Sequence, residues 1–584
     1  MDAVEDIKQR LSIEDVISQY VELKRAGRNF RGLSPFGNEK TPSFMVSPEK
    51  QIWHDFSSGR GGNMFSFVME MEGVDFKGAL ELLARKAGID LGQYRGSNYG
   101  ERTKQKERLY QALDLAAKFY QVQFTKHRQA LDYILKQRRF TKAIALEFRI
   151  GYSPNTGTAL TKFLLGKGFS LDELKKAGLS TQRYSTPNDM FRGRIMIPLM
   201  DNVGRVIGFT ARLLDDDDPN APKYINTPQT LLYDKSRHVY GLHLAKEAIR
   251  IKDYAVLVEG NLDVIASHQA GVKQTVATAG TALTESHLKA LARFTHDVRL
   301  AFDQDKAGLA ATERAIPIAS KVEVSLGIVS VPAGKDPDEL VKKDPKAWEQ
   351  IIEKPQDAVD WLMERYAKEL DITTAKGKRE FSSVIMKTVG QLPDKVEQDH
   401  YATRVAELLN IAPDAVRSKL GQKTSTVLRK SVPQETGAPS KRRAEQLKLQ
   451  NHFLSLCLMR PELRDYISPI TPDMLHEEPA RKLLAHLRAE QGVEVVDLTA
   501  APLQALGDYV NILVFQFEQL YKGLEPLELR YETARLQARL IEQYVKNQKL
   551  TLAEAMRSAD EATTDQLLTR AKELDVLLKG HHGG

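Results

Sequence analysis

Three times between residues 255 and 338 of this 584-residue chain, a short apolar run ends in carboxylates. Residues 254–258 lead into Glu259 and Gly260, with Asp263 four positions after the glutamate. Residues 298–302 lead into Asp303, Gln304 and Asp305, and residues 324–331 lead, through Pro332 and a glycine turn, to Asp336 and Asp338. Asp303 and Asp305 are two apart, which in an extended chain puts both side chains on one face. Carboxylates gathered in this way repel one another unless cations lie between them. An all-oxygen donor set with no His or Cys nearby suits Mg²⁺ or Mn²⁺. The chemistry open to such a site is two-metal catalysis, with ions ~3.5–4 Å apart clamping an attacking and a leaving oxygen. A single acidic pair is better read as a helix cap or a solvated turn; three at matched positions argue for a site.

Helical segments with caps or glycine entries separate the three runs, which is the pattern of βαβ units in a parallel sheet. Ligands bind such sheets outside the carboxyl ends of the strands, so the acidic groups should converge on one crevice. The chain is too long for a single core. A first block, 1–91, has helical periodicity over 4–20, a glycine- and aromatic-rich middle over 29–63 that reads as short strands, and amphipathic helices near 64–71 and 76–86. A polar linker at 92–103 precedes a core whose first part is 104–250, followed by the acidic parallel-sheet unit at 251–345 and a helical subdomain at 346–420. A second linker, 421–446, is rich in Lys, Arg, Ser and Thr, and cannot bury a core. The last block, 447–584, is helical. The fold class is therefore multidomain α+β and α/β.

The 84 Lys and Arg against 77 Asp and Glu leave a net charge of +7, which permits a phosphate-rich partner without demanding one. No apolar run is long enough for a membrane span, and the start lacks a secretory pattern. A lone cysteine, Cys457, excludes a disulfide framework and any zinc cage built on cysteines. A cytoplasmic protein is expected. No Gly-x-x-x-x-Gly-Lys-Ser/Thr loop is present to cradle ATP phosphates, which excludes a fused helicase.

Glu259-Gly260-x-x-Asp263 followed by Asp303-x-Asp305-x-Ala307-Gly308 resembles the TOPRIM module of bacterial-type primases, topoisomerases and some nucleases. Lys335-Asp336-Pro337-Asp338 and Thr278-Ala279-Gly280-Thr281-Ala282 narrow the resemblance to bacterial-type DNA primase, as do Phe191-Arg192-Gly193-Arg194, Arg212, Pro222-Lys223-Tyr224-Ile225-Asn226, Lys235 and Tyr240-Gly241-Leu242. The resemblance implies a DNA-templated RNA polymerase that makes short primers. Glu259, Asp303 and Asp305 would hold the Mg²⁺ or Mn²⁺ ions, with Asp263, Asp336 and Asp338 in support. Arg192, Arg194, Arg212, Lys223 and Lys235 would meet triphosphate or template phosphates, Tyr224 would stack, and Asn226 would read a base edge of the single-stranded DNA template. The substrates would be ribonucleoside triphosphates. A replicative DNA helicase would bind the 447–584 block, and the chain would act as a monomer. The run Asp215–218 reads as a solvated turn.

Residues 1–91 are similar to the family's zinc ribbon, but its four ligand positions carry Ser34, Gly37, Asp55 and Ser58. Only Asp55 is a usable zinc ligand, and structural zinc normally takes four nitrogen or sulfur donors. A ribbon-shaped domain without zinc is expected, stabilised by apolar packing through Phe30, Phe36, Phe44, Ile52, Trp53, Phe56 and Phe65. Lys24, Arg25, Arg28, Arg31 and Lys40 keep template recognition open to it. The competing readings are a TOPRIM topoisomerase or nuclease, and a replisome adaptor without catalytic activity.

Overall fold

The computed structural model describes residues 3–91, 94, 97–183, 186–214, 221–302, 306–331, 337–392, 394–421, 441–490, 497–498, 500–556 and 561–579. The N-terminal domain is built on an antiparallel sheet in sequence order, β1 (Lys24–Ala26), β2 (Asn29–Gly32), β3 (Phe44–Ser47), β4 (Ile52–Asp55) and β5 (Arg60–Gly62). The 4–20 periodicity resolves into two helices, Ala3–Arg10 and Ile13–Ile17. The break falls at Ser12, whose hydroxyl caps the second helix by accepting from the Asp15 amide. Helices Met64–Glu72 and Phe76–Lys86 close the domain, the first capped by the Asn63 side chain and ended by Gly73 in the left-handed region. A Cβ at Gly73 would also collide with the Phe294 ring, so only glycine serves there. Phe44, Trp53, Phe65 and Phe67 are buried in the domain core, and Phe36 stacks on Trp53 with ring centroids 5.4 Å apart.

The polar stretch expected as a linker is helical from Ser97 onward, inside the helix Ser97–Lys126. Once Leu109, Leu113, Ala116 and Tyr120 bury that helix against the core, propagation through polar residues adds backbone hydrogen bonds at little cost. The central region then adds β6 (Gly151–Ser153), the hairpin β7 (Ser180–Arg183) and β8 (Thr186–Asp189), β9 (Arg194–Met200), β10 (Val206–Leu213) and β11 (Tyr224–Asn226). Four of these strands form an antiparallel sheet in the order β11-β10-β9-β6.

A second sheet runs β13 (Thr275–Ala277), β12 (Ala255–Val258), β14 (Asp297–Ala301), β15 (Ser325–Ile328) and β16 (Gln356–Asp357). It is parallel throughout except for β16 at its edge. β12 is buried along its whole length, as a strand covered by helices on both faces must be. The three strands that precede the acidic groups in the sequence are neighbours, with Val258 beside Ala301 and Leu300 beside Ile328.

Helices Ala358–Glu369, Ala375–Val389 and Lys395–Leu409 share one core with this sheet, through Leu362, Phe381 and Val405 packed with Leu300 and Leu326. The C-terminal helices, among them Lys441–Met459, Asp508–Leu520 and Pro526–Met556, have a core of their own. Lys441–Met459 begins inside the stretch expected as the second linker, its Lys and Arg being good helix formers. Residues 422–440 lie outside the described residues.

Among the described residues, two contacts hold the N-terminal domain. Against the central region, Glu72, itself held within the domain by a 2.8 Å hydrogen bond from the Tyr20 hydroxyl, takes a 2.5 Å ion pair from Lys246, while Arg250 donates to the Met71 carbonyl. Against the C-terminal helices, Lys50 pairs with Glu518 at 2.7 Å, Lys448 donates to the Phe56 carbonyl at 2.9 Å, and the Phe56 and Phe515 rings meet.

Candidate active site

β12 delivers Glu259 at its carboxyl end, next to the end of β14, and Glu259 is exposed there. The helix Asn261–Gln269 starts immediately afterwards. Asp263, at its third position, accepts from the Gly260 amide at 3.1 Å. A Cβ on residue 260 would lie 2.6 Å from the Asp263 carboxylate, so a larger residue there would displace that carboxylate from the Gly260 amide. The oxygen donors fit a hard divalent cation. Asp303, Asp305 and Asp336 lie outside the described residues, as do the Asp338 side chain and the run Asp215–218. Among the described residues, no group of three or more His, Cys, Asp or Glu is gathered to hold a metal.

The other wall comes from β10 and β11. Their register sets Thr210 opposite Asn226 and Arg212 opposite Tyr224. Residues two apart in a strand share a face, so these four side chains stand together. Thr210 and Asn226 join that face to the acidic edge. The Asn261 side-chain amide donates to the Thr210 hydroxyl at 2.9 Å, Thr210 donates to Asn226 Oδ1 at 2.7 Å, and Asn226 Nδ2 donates to the Ala279 carbonyl at 3.4 Å. Ala279 and Gly280 both adopt left-handed conformations in this loop.

The sequence assigned Asn226 to base edges, whereas its amide is engaged within the protein. Arg194 is likewise turned inward. It is buried, donates to the carbonyls of Ala211 and Pro222, and burial lowers its pKa. Arg212 is 7% exposed and lies between the Tyr133 and Tyr224 rings, with its Nε and Nη1 unpartnered. Tyr224 is 43% exposed, and Arg192 and Lys223 are exposed cations. Lys235 is half-buried, and its carbonyl lies 3.2 Å from His287 Nε2. Thr210 and Asn261 were missed in the sequence. The available signals were the position of Asn261 beside Glu259-Gly260 and the two-residue spacing of Thr210 from Arg212.

In the N-terminal domain, Ser34, Asp55 and Ser58 come together, while Gly37 contributes no side chain. The Ser34 hydroxyl donates to Asp55 Oδ2 at 2.9 Å, and the Ser58 hydroxyl donates to the same oxygen. Of the apolar residues expected to stabilise this domain, Phe44, Ile52, Trp53 and Phe65 are buried, Phe30 and Phe36 are partly buried, and Phe56 faces Phe515.

Four family models match the chain. A CHC2 zinc finger covers residues 1–99, the N-terminal domain of the DNA primase catalytic core covers 119–246, a Toprim-like model covers 256–341, and a DnaB-helicase binding domain of primase covers 359–414. The Toprim-like match implies use of a divalent metal. The zinc-finger match stands against the expectation of a domain without zinc. The helicase-binding match falls on the helices after the parallel sheet, not on the 447–584 block where the sequence placed that function.

The DNA primase of Geobacillus stearothermophilus is 38% identical over 452 residues, spanning 75% of this chain and 74% of that protein. The DNA primase of Streptomyces coelicolor is 33% identical over 580 residues, spanning 91% and 90%. A solved structure of the Aquifex aeolicus primase zinc-binding and RNA polymerase domains aligns over 72% of this chain and all of that one, at 31% identity and a TM-score of 0.48. From these relatives and the primase-specific models, the chain belongs to the DNA primase family, the nucleotidyltransferases that synthesise RNA primers for DNA replication.

Proposed function

We propose that the chain joins ribonucleoside triphosphates on single-stranded DNA by two-metal phosphoryl transfer at the crevice between the β12 end and the β10–β11 face. Glu259, Asp303 and Asp305 would hold Mg²⁺ or Mn²⁺, and Asp263, Asp336 and Asp338 would support them. When bound, the ions activate the 3′-hydroxyl and neutralise charge on the departing pyrophosphate. The observation that carries the reading is the short polar chain from Asn261 through Thr210 to Asn226, which ties the acidic strand end to the face bearing Arg212 and Tyr224. The unpartnered Nε and Nη1 nitrogens of Arg212 carry donors that suit a phosphate, and the flanking rings hold the guanidinium in place before substrate arrives. The exposed ring of Tyr224 offers a stacking face to a template base, with Arg192, Lys223 and Lys235 near the phosphates. Arg194 and Asn226 act one step removed, by fixing the strands.

The seven-part division read from the sequence stands as part of this proposal, with the helical starts at Ser97 and Lys441 noted above. A replicative helicase is the partner. The 359–414 helices commit Leu362, Phe381 and Val405 to the core they share with the parallel sheet, whereas Leu527 and Tyr531 are exposed one turn apart on Pro526–Met556. We therefore keep the helicase contact on the C-terminal block. The protein would work as a cytoplasmic monomer. Among the described residues no helix is long and apolar enough to cross a membrane.

Primer synthesis by Glu259→Gln tests the assignment, because the substitution keeps the size and removes the charge. Synthesis should fall by at least ~100-fold. Affinity for single-stranded DNA should stay within about twofold, since no phosphate contact is lost. Near-normal synthesis by the variant would reject the site.

A further inference from the structure

Residues 1–99 match a model named for a Cys-His-Cys₂ zinc site, yet they contain no cysteine and a single histidine, His54. The side chains present do not fit the ion. Serine hydroxyls are poor zinc donors, and Gly37 has none to offer. Ligand atoms at ~2.0–2.2 Å from a tetrahedral ion lie more than ~3 Å apart. Asp55 Oδ2, by contrast, is in direct hydrogen-bond contact with the Ser34 and Ser58 hydroxyls, which leaves no gap between them.

Asp55 stands at the end of β4 and is fully buried, at 0% exposure. A carboxylate there must be well provided with donors. Its Oδ2 accepts from the hydroxyls of Ser34, Ser57 and Ser58 and from the Ser58 amide at 3.2 Å, and its Oδ1 accepts from Ser43 and Ser57 at 3.0 Å. These donors fill the roughly four acceptor positions of an ionised carboxyl group. Ser34 and Ser43 lie in the connection between β2 and β3, and Ser57 and Ser58 lie in the turn before β5. A second acid, Glu39, ties the first connection internally, accepting from the amides of Ser34 at 2.7 Å and Ser43 at 3.1 Å and, with its Oε2 2.7 Å from the Ser43 hydroxyl oxygen, sharing that group's single proton with Asp55.

We infer that the Asp55 carboxylate and its serine hydroxyls replace the zinc ion of this domain, pinning the same two turns together with charge-assisted hydrogen bonds. The domain then folds independently of zinc supply. With no thiolate in it to oxidise, it keeps its shape under oxidants that open cysteine-based zinc sites. This goes beyond the primer-synthesis reading and does not depend on which acids hold the catalytic metals.

The test uses the full chain. Elemental analysis should find less than about 0.1 zinc per molecule, and a zinc-selective chelator should leave hydrogen exchange of the 34–43 and 55–60 peptides unchanged. Asp55→Asn removes the charge but keeps the shape. Exchange in both peptides should speed up, and the first thermal transition should fall by on the order of 10 °C, with no recovery on adding zinc. If that variant fails to fold, Ser34→Ala and Ser58→Ala each remove one donor, and should shift the same peptides by less. About one zinc per chain, lost together with protection of these peptides, would overturn the inference. So would wild-type exchange in Asp55→Asn, or in both serine variants.

Discussion

Thr210 joins the two walls of the candidate active site through a single hydroxyl, accepting from Asn261 beside the β12 end and donating to Asn226 on β11. Thr210→Val preserves the shape of the side chain and leaves both amides without their partner, a loss of about 1–3 kcal/mol for buried polar groups. The loss should appear as misplacement of the acids relative to Arg212. We expect kcat to fall about tenfold while KM for ribonucleotides changes little, and Thr210→Ser to restore activity. Equal kcat in Thr210→Val and the parent would show that the chain of bonds has no positioning role. At this scale the sequence exposed the acids through their spacing after apolar runs. It could not reveal that Asn226 and Arg194 spend their hydrogen bonds inside the protein, because partners far apart in sequence meet only through strand register. Ser43, Ser57 and Glu39 were passed over for the same reason, since their role exists only once the two turns around Asp55 are brought together.

Among elements, the parallel strands were the most legible. β12 is a wholly buried apolar run, and β14 and β15 bury Val298, Leu300, Ala301, Leu326 and Ile328 around it, a pattern that cannot sit at a surface. The helices 64–71 and 76–86 were legible through their period, and the structure shows Asn63 and Asp75 capping them. The linkers were misjudged at their edges. Loss of apolar period marks solvent exposure, not the end of a helix, so Ser97–Lys126 and Lys441–Met459 both extend into polar sequence. The division of 4–20 into two helices was written in the single capping residue Ser12.

At the scale of the whole molecule, the contact between the N-terminal domain and the C-terminal helices was not legible at all, since it joins residues some four hundred positions apart. Two histidines lie at it. His54 and His452 are each held down to about 4, mainly by burial, with Lys448 adding to the effect on both and the carboxylates Asp55 and Glu532 opposing it. Their rings are therefore neutral in the folded protein, and each would titrate near 6.5 where opening of the contact lets water reach it. The contact is at full strength above pH 6.5 and weakens as pH falls from there towards 4, by up to ~1.4 kcal/mol per pH unit for each ring. Small-angle scattering should show a larger maximum dimension at pH 5 than at pH 7.5, and an unchanged or more compact particle at pH 5 would refute this. Loading the protein with Fe²⁺ in place of Mg²⁺ and mapping peroxide-driven backbone cleavage would locate a divalent-metal cage at the carboxyl edge of the parallel sheet. Cuts should fall beside Glu259, at 303–305 and at 336–338, and excess Mg²⁺ should suppress them; cuts confined to other parts of the chain would rule out a metal site at that edge.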